Sequence, residues 1–356
     1  MGGLLFLNRT CIIAKKEKRT GRTKKMKYEL ITFDKTKILP QGRILFGENG
    51  AVLLPWCDSG FKFRFYGDGV IFHFGTYCAD TPAYVRVFAD GKAQRFAISD
   101  GKEKIILENL GEAVHEITLL RVTEGNEPLT VTQAALVGNA PAFLPRPDEK
   151  ALKLAFIGDS ITCGYGVMGP ASEPGYQTYE QDSSRSYAYL TAEKLNAEIC
   201  LSGASGKGIV SNCNGDRSDL TLRQAFAWAT PKGEKWDHSQ WTPDLVVVNA
   251  GTNDAWGGVS DEEFTETAIT FLGEIRAAYP EKPIVWCYGV MDESKKPAVE
   301  KAVEAFGKTE SGVYYLPVTS MYELKNEVGG GGHPNTVTSA RVSDLLAAKI
   351  REILGL

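Results

Sequence analysis

The chain is short of the residues that build metal and disulfide sites. It has four histidines in 356 residues, His73, His115, His238 and His333, and no two stand close enough in sequence to serve as paired ligands. Its seven cysteines are odd in number, scattered from Cys11 to Cys287, and never spaced C-x-x-C. That argues against a disulfide framework and a structural zinc site, and makes reduced, mostly structural thiols the simplest reading. No metal and no other cofactor is expected.

Long apolar runs are absent as well. None approaches the ~20 residues that a membrane span needs, and the opening Gly2–Leu7 segment has its charges after the apolar stretch, the reverse of a signal peptide. A soluble, cytoplasmic protein is the expectation. An overall positive charge is also missing, since the chain carries a net −4. Lys and Arg concentrate only in residues 1–26, eight against the single acid Glu17, which leaves about −11 on the rest. That stretch lacks the interleaved aromatics of a nucleic-acid binder, and Met26 offers an alternative start. Residues 1–37 read as a disordered extension plus lead-in, with neither nucleic acid nor membrane as partner. Nothing in the sequence sets the oligomeric state.

What is present divides into two rhythms. From Gly42 to Leu136 short runs alternate apolar and polar residues: Phe61–Phe65, Val70–Phe74, Tyr84–Phe88, Lys104–Leu107 and Glu116–Leu120. Turns such as Gly67-Asp68-Gly69 and Ala89-Asp90-Gly91 separate them. Period two with such turns predicts an antiparallel β-sandwich over residues 38–140. Residues 141–150, with Pro141, Pro145 and Pro147, read as a linker.

Residues 151–356 then alternate strands and helices. Strands are predicted at Leu152–Ile157, Glu198–Leu201, Leu245–Asn249, Ile284–Tyr288 and Val313–Leu316. Helices are expected near Ser184–Leu195, Asp261–Ala278, Lys296–Phe306 and Val337–Leu354. This is the pattern of a parallel sheet covered on both faces, a flavodoxin-like three-layer α/β/α domain. Residues 209–243, which hold Trp228, Trp236 and Trp241, show no period and read as a binding loop.

Three strand ends carry residues able to do chemistry. The first strand runs into Gly158-Asp159-Ser160, the second leads to Gly203–Gly208, and the third ends in Gly251-Thr252-Asn253-Asp254. With a strand order 2-1-3-4-5 these three loops meet at the switch point of the sheet. A serine nucleophile needs a base and an oxyanion site. His333, in Gly329–Asn335 just before the last helix, is the candidate base. The Ser160 backbone N–H, a glycine N–H at Gly206 and the Asn253 amide are the candidate oxyanion donors. Each has an ordinary reading as a turn or surface residue; their occurrence together, each at a strand end or before the closing helix, favours a catalytic one. Residues 158–162 lack the second glycine of the G-x-S-x-G elbow, and Gly203–Gly208 lacks phosphate-loop spacing.

These blocks resemble the SGNH (GDSL) hydrolase superfamily, which takes its name from Ser, Gly, Asn and His. Gly158-Asp159-Ser160 matches its first block, Gly206 the second, Gly251-Thr252-Asn253-Asp254 the third and His333-Pro334-Asn335 the fourth. The sandwich half, a jelly roll opening with Gly42-Arg43 and containing Asp90-Gly91, His115-Glu116 and Arg121–Glu124, makes the whole similar to carbohydrate esterase family 2. That resemblance implies a carboxylic ester hydrolase that removes O-acetyl groups from plant poly- or oligosaccharides of the xylan, mannan or glucomannan type. Many members of the superfamily place an aspartate three residues before the histidine, but Gly330 stands there. A Ser160–His333 dyad with the imidazole held by a backbone carbonyl is therefore expected, with Glu327 or Asp292 as alternative orienting acids.

Asp159 reads as structural, Cys163 as buried filler. Trp256, Trp236 and Trp241 are candidates for stacking on a sugar, and Trp56 or Tyr77 for a wall of the cleft, with core packing the competing reading for each tryptophan. The alternative functions are a lipase or thioesterase on the same scaffold, or a non-catalytic carbohydrate-binding protein.

Overall fold

A computed structural model describes residues 11–15, 24–75, 81–100, 103–125, 127–172 and 177–356. In the first half two antiparallel sheets face each other. One is built on Leu129–Gly138, flanked by Val52–Leu54, Gly69–Phe74 and Lys24–Ile31; the other is built on Gly60–Gly67, Ala113–Arg121, Ala83–Ala89 and Lys92–Ile98. Alternation drives this: Phe61, Phe63 and Phe65 point into the space between the sheets and meet Phe72 and Leu136 there, while Lys62 and Arg64 face outward. Asp90 and Gly91 both take positive φ, the backbone that a tight two-residue hairpin needs. Gly67-Asp68-Gly69 is a different kind of turn, since the strands it joins lie in different sheets.

The expected disordered lead-in is in part sheet. Lys24–Ile31 pairs with Leu129–Gly138, and Cys11–Lys15 pairs with it in turn. Composition missed this because a lysine-rich strand and a lysine-rich disordered tail leave the same charge signal in the sequence. Residues 1–10 and 16–23 of that expectation, and Tyr77, lie outside the described residues. The proline-rich segment also pairs, Ala142–Phe143 lying against Tyr66 and Phe65.

The second half holds a five-stranded parallel sheet: β1 (Leu152–Gly158), β2 (Ala197–Gly203), β3 (Leu245–Asn249), β4 (Ile284–Tyr288) and β5 (Val313–Pro317). Its spatial order is β2-β1-β3-β4-β5, as expected. The helices are α1 (Ser160–Cys163), α2 (Tyr187–Lys194), α3 (Leu222–Ala227), α4 (Thr252–Trp256), α5 (Asp261–Ala278), α6 (Lys296–Gly307) and α7 (Thr336–Leu354). The middle of β1 is apolar on both sides because both faces are covered: Ala155 and Ile157 pack toward α3, α5 and α6, whereas Leu154 and Phe156 pack toward α2 and α7. No helix among the described residues is long and apolar enough to cross a membrane.

The segment 209–243 is not one loop. It contains α3, opened by a capping box between Thr221 and Gln224, and a small hairpin of Trp228–Thr230 with Gly233–Lys235. The elements are too short to show a period.

Candidate active site

Ser160 is the first residue of α1, at the carboxyl end of β1. Asp159 caps that turn, accepting the Ile161 N–H at 3.0 Å. Glycine at 158 is required by crowding, since a Cβ there would stand 2.0 Å from Thr162 Oγ1 and 2.9 Å from the Asn249 carbonyl oxygen.

The histidine arrives from the far end of the chain. Asn335 caps α7 through the Val337 and Thr338 N–H groups, which fixes the chain two residues after His333. Gly330 N–H donates to Gly166 O at 2.9 Å and ties this loop to the one following Ser160. His333 Nε2 then lies 2.9 Å from Ser160 Oγ, and Nδ1 lies 3.0 Å from the Gly331 carbonyl. A carbonyl oxygen only accepts, so Nδ1 carries the proton and the Nε2 lone pair faces the serine hydroxyl. Burial pushes the His333 pKa below its ordinary value, and the Gly331 carbonyl offsets part of that. The imidazole is therefore neutral at pH 7.

Neither alternative acid reaches this ring. Glu327 is engaged by Arg341, at 2.7 Å to Nη2, and Asp292 accepts from the Tyr288 hydroxyl at 2.7 Å and from Ser294. The other histidine of this domain, His238, stacks on Phe226 and bonds Tyr279, away from the strand ends, its pKa lowered by burial to about 4.

A hydrogen-bonded chain joins the three loops. Asn253, buried in α4, donates from Nδ2 to Asp159 Oδ2 at 2.9 Å and to the Lys207 carbonyl at 3.0 Å. Asp159 thus ties the serine turn to the asparagine, and Lys207 ties the asparagine to the glycine loop. Burial raises the Asp159 carboxyl to about 7, against the Ile161 N–H, which lowers it. Asp254 accepts the N–H groups of Ile209, Val210 and Ser211 and anchors the far side of the glycine loop. Gly206 takes φ +75°, a conformation that glycine adopts without strain. Gly251 at φ +132° does the same before α4.

Of the three tryptophans, only Trp256 lies beside these residues, on α4 and 52% exposed. Trp236 is buried beneath the Arg43 guanidinium, and Trp241 packs on the helices covering one sheet face. Both line a cavity shared with Glu149 and Glu198, at the amino ends of β1 and β2, the opposite end of the sheet from Ser160. The sugar-stacking expectation is corrected for these two. Trp56 is buried, its Nε1 donating to the Ala229 carbonyl at 2.9 Å. Cys163 is buried, and the described residues contain no group of His, Cys, Asp or Glu able to hold a metal ion.

Two residues of the site escaped the sequence reading. Tyr165 lays its ring 4.3 Å from the imidazole; its place between Gly164 and Gly166 was the only signal. Glu124 reaches over from the sandwich half to Ser205 in the glycine loop, a contact that no local pattern encodes.

This fold and this group of residues define an SGNH-type serine hydrolase, a carboxylic ester hydrolase. The chain belongs to the GDSL-like Lipase/Acylhydrolase family, whose profile matches residues 156–340, and residues 41–147 match the N-terminal domain of carbohydrate esterase 2. It is similar to the cellulase/esterase CelE of Acetivibrio thermocellus, 27% identical over 345 residues, which cover 90% of this chain but only 40% of that longer protein. An acetylxylan esterase / glucomannan deacetylase of Cellvibrio japonicus is 28% identical over 69% of this chain and 68% of its own. Among solved structures, a family two carbohydrate esterase from Clostridium thermocellum in complex with cellohexaose superposes with a TM-score of 0.80 at 26% identity, over 89% of this chain and 99% of that one.

Proposed function

We propose that the chain is a carbohydrate O-acetyl esterase working through a Ser160–His333 dyad on acetylated poly- or oligosaccharides of the xylan, mannan or glucomannan type. The observation that carries this reading is the 2.9 Å approach of His333 Nε2 to Ser160 Oγ, with Nδ1 turned to a carbonyl; the named activities of the relatives supply the substrate class. His333 takes the Ser160 proton as Oγ attacks the acetyl carbonyl, then passes it to the departing sugar hydroxyl. Water, deprotonated by the same imidazole, releases acetate and restores Ser160.

The oxyanion that forms in each step is held by the N–H groups of Ser160 and Gly206 and by Asn253 Nδ2. In the resting site both Asn253 N–H groups are used, on Asp159 and on Lys207. An anionic oxygen is a stronger acceptor than a neutral carbonyl, so it takes over the bond to Lys207. A carbonyl-held imidazole is oriented as well as one held by an acid, but its imidazolium gains less stabilisation. Trp256 offers its exposed face to a sugar ring, and its replacement by alanine is expected to raise KM more than it lowers kcat in oligosaccharide kinetics.

Hydrolysis of aryl esters of increasing acyl length by the wild type and Ser160→Ala tests the reading. The expected result is a preference for acetate that Ser160→Ala abolishes. A rate optimum at long acyl chains would instead support a lipase or thioesterase, and equal rates for the two proteins a non-catalytic carbohydrate-binding role.

A further inference from the structure

The geometry points to Glu124, a residue of the sandwich half, as the positioning residue of the oxyanion loop. The proposal rests on the acetyl-esterase reading for its catalytic consequence, and on the structure alone for the contact. Glu124 Oε1 accepts the Ser205 backbone N–H at 2.6 Å, and Oε2 accepts the Ser205 hydroxyl. Ser205 immediately precedes Gly206, so the carboxylate holds the Ala204–Ser205 peptide and the Ser205 side chain, one peptide before the one that carries the Gly206 N–H.

The same carboxylate is itself held in place. Gln181 Nε2 donates to Glu124 Oε2 at 2.8 Å and to the Cys163 carbonyl at 3.1 Å, while Gln181 Oε1 accepts the Glu124 N–H at 3.1 Å. Cys163 ends the turn that begins at Ser160. One side chain from the sandwich is therefore linked to the glycine loop directly and to the serine turn through a single glutamine. Packing alone does not replace it, because a cavity of about 100 Å3 lined by Trp56, Glu124, Ser205 and Lys207 lies beside the loop and leaves it room to shift. Misplacing one oxyanion donor costs roughly 10²–10³-fold in kcat. The α/β half, on this account, depends on its partner domain for a completed oxyanion site.

The test compares Glu124→Ala and Glu124→Gln with the wild type, and with Lys62→Ala, which breaks an ion pair to Glu198 across the same domain junction at the opposite end of the sheet. Aryl acetate kinetics and hydrogen–deuterium exchange of peptides covering residues 203–208 are measured for each. Glu124→Ala is expected to lose about 100-fold in kcat, with KM within about threefold and exchange at least about tenfold faster in that loop. Glu124→Gln, nearly isosteric but with an amide that opposes the donors around it, falls between. Lys62→Ala keeps its kcat. If Glu124→Ala does not fold, Glu124→Gln carries the test, and wild-type kcat and exchange in that variant overturn the proposal. A Glu124→Ala variant with kcat within about twofold of wild type, or with unchanged loop exchange, does the same. If the wild type shows no Ser160-dependent hydrolysis, the esterase reading fails, and the exchange measurement still decides whether Glu124 holds the loop.

Discussion

His333 carries its chemistry in its hydrogen bonds rather than in its neighbours in sequence. Nδ1 on the Gly331 carbonyl leaves Nε2 free for Ser160, and burial lowers its pKa. The base form is therefore present above a pKa lower than 6.5, so kcat/KM is expected to fall on the acid side of that value and to stay level from pH 7 to 9. A limb centred well above pH 7 would show that another group supplies the base. His333→Ala is expected to lower kcat at least about 10³-fold, and His333→Gln to do no better, since an amide cannot take the proton. Asp58 gives a stability prediction at the same scale. It is fully buried at the domain junction, accepts the Ser183 hydroxyl at 2.7 Å on Oδ1, has no hydrogen-bond partner on Oδ2, and is raised by burial from 3.8 to about 7. A folded pKa above the unfolded one means that its contribution is complete below pH 3.8 and is lost as pH rises through 7. The loss amounts to at most about 4 kcal/mol. The melting temperature of Asp58→Asn relative to wild type should therefore rise between pH 5 and pH 8; a constant difference would contradict a neutral Asp58.

Single glycines set the geometry of the site loops. Gly166 has φ +64°, and a Cβ there would stand 2.0 Å from the Gly330 carbonyl oxygen, backbone that cannot give way without moving the histidine loop. Gly166→Ala is expected to cost 1–3 kcal/mol of stability, on the order typical of such strain, and to lower kcat at least about tenfold by drawing His333 away from Ser160. Urea unfolding and aryl acetate kinetics read the two effects separately. The regular elements were legible because each is long enough to show a period: α5 begins and ends where its pattern does, and its cap Ser260 accepts the Glu263 N–H. The strand order followed from the alternation of strands and helices, which points to a doubly wound sheet of order 2-1-3-4-5, and that order brings the three chemically distinctive strand ends together. The six-residue α3 was not, nor was the strand Lys24–Ile31, whose charge conceals its pairing.

Across the whole molecule the two halves are joined by buried charge. Arg43 is 1% exposed and donates to the carbonyls of Ala225, Phe226 and Trp228 at the end of α3, with Trp236 stacked beneath it. Arg86 pairs with Asp182 at 2.6 Å. Arg43→Ala strands those carbonyls and is expected to cost about 3 kcal/mol or more in urea unfolding; a loss under about 0.5 kcal/mol would mean that water replaces the guanidinium. The four signature residues Ser160, Gly206, Asn253 and His333 stood out in the sequence because each sits at a strand end or before the closing helix. Contacts between the halves did not, because Arg43 and Glu124 meet partners 182 and 81 residues away, and such pairings leave no local pattern. The claim on which the account turns is that Ser160, served by a carbonyl-held His333, removes acetyl groups from sugars. Its most direct measurement is acetate release from acetylated xylo-, manno- and gluco-oligosaccharides by the wild type and by Ser160→Ala, followed by mass spectrometry. The account predicts loss of acetyl mass units with the wild type and a rate at least about 10³-fold lower with Ser160→Ala; equal rates for the two proteins would contradict it.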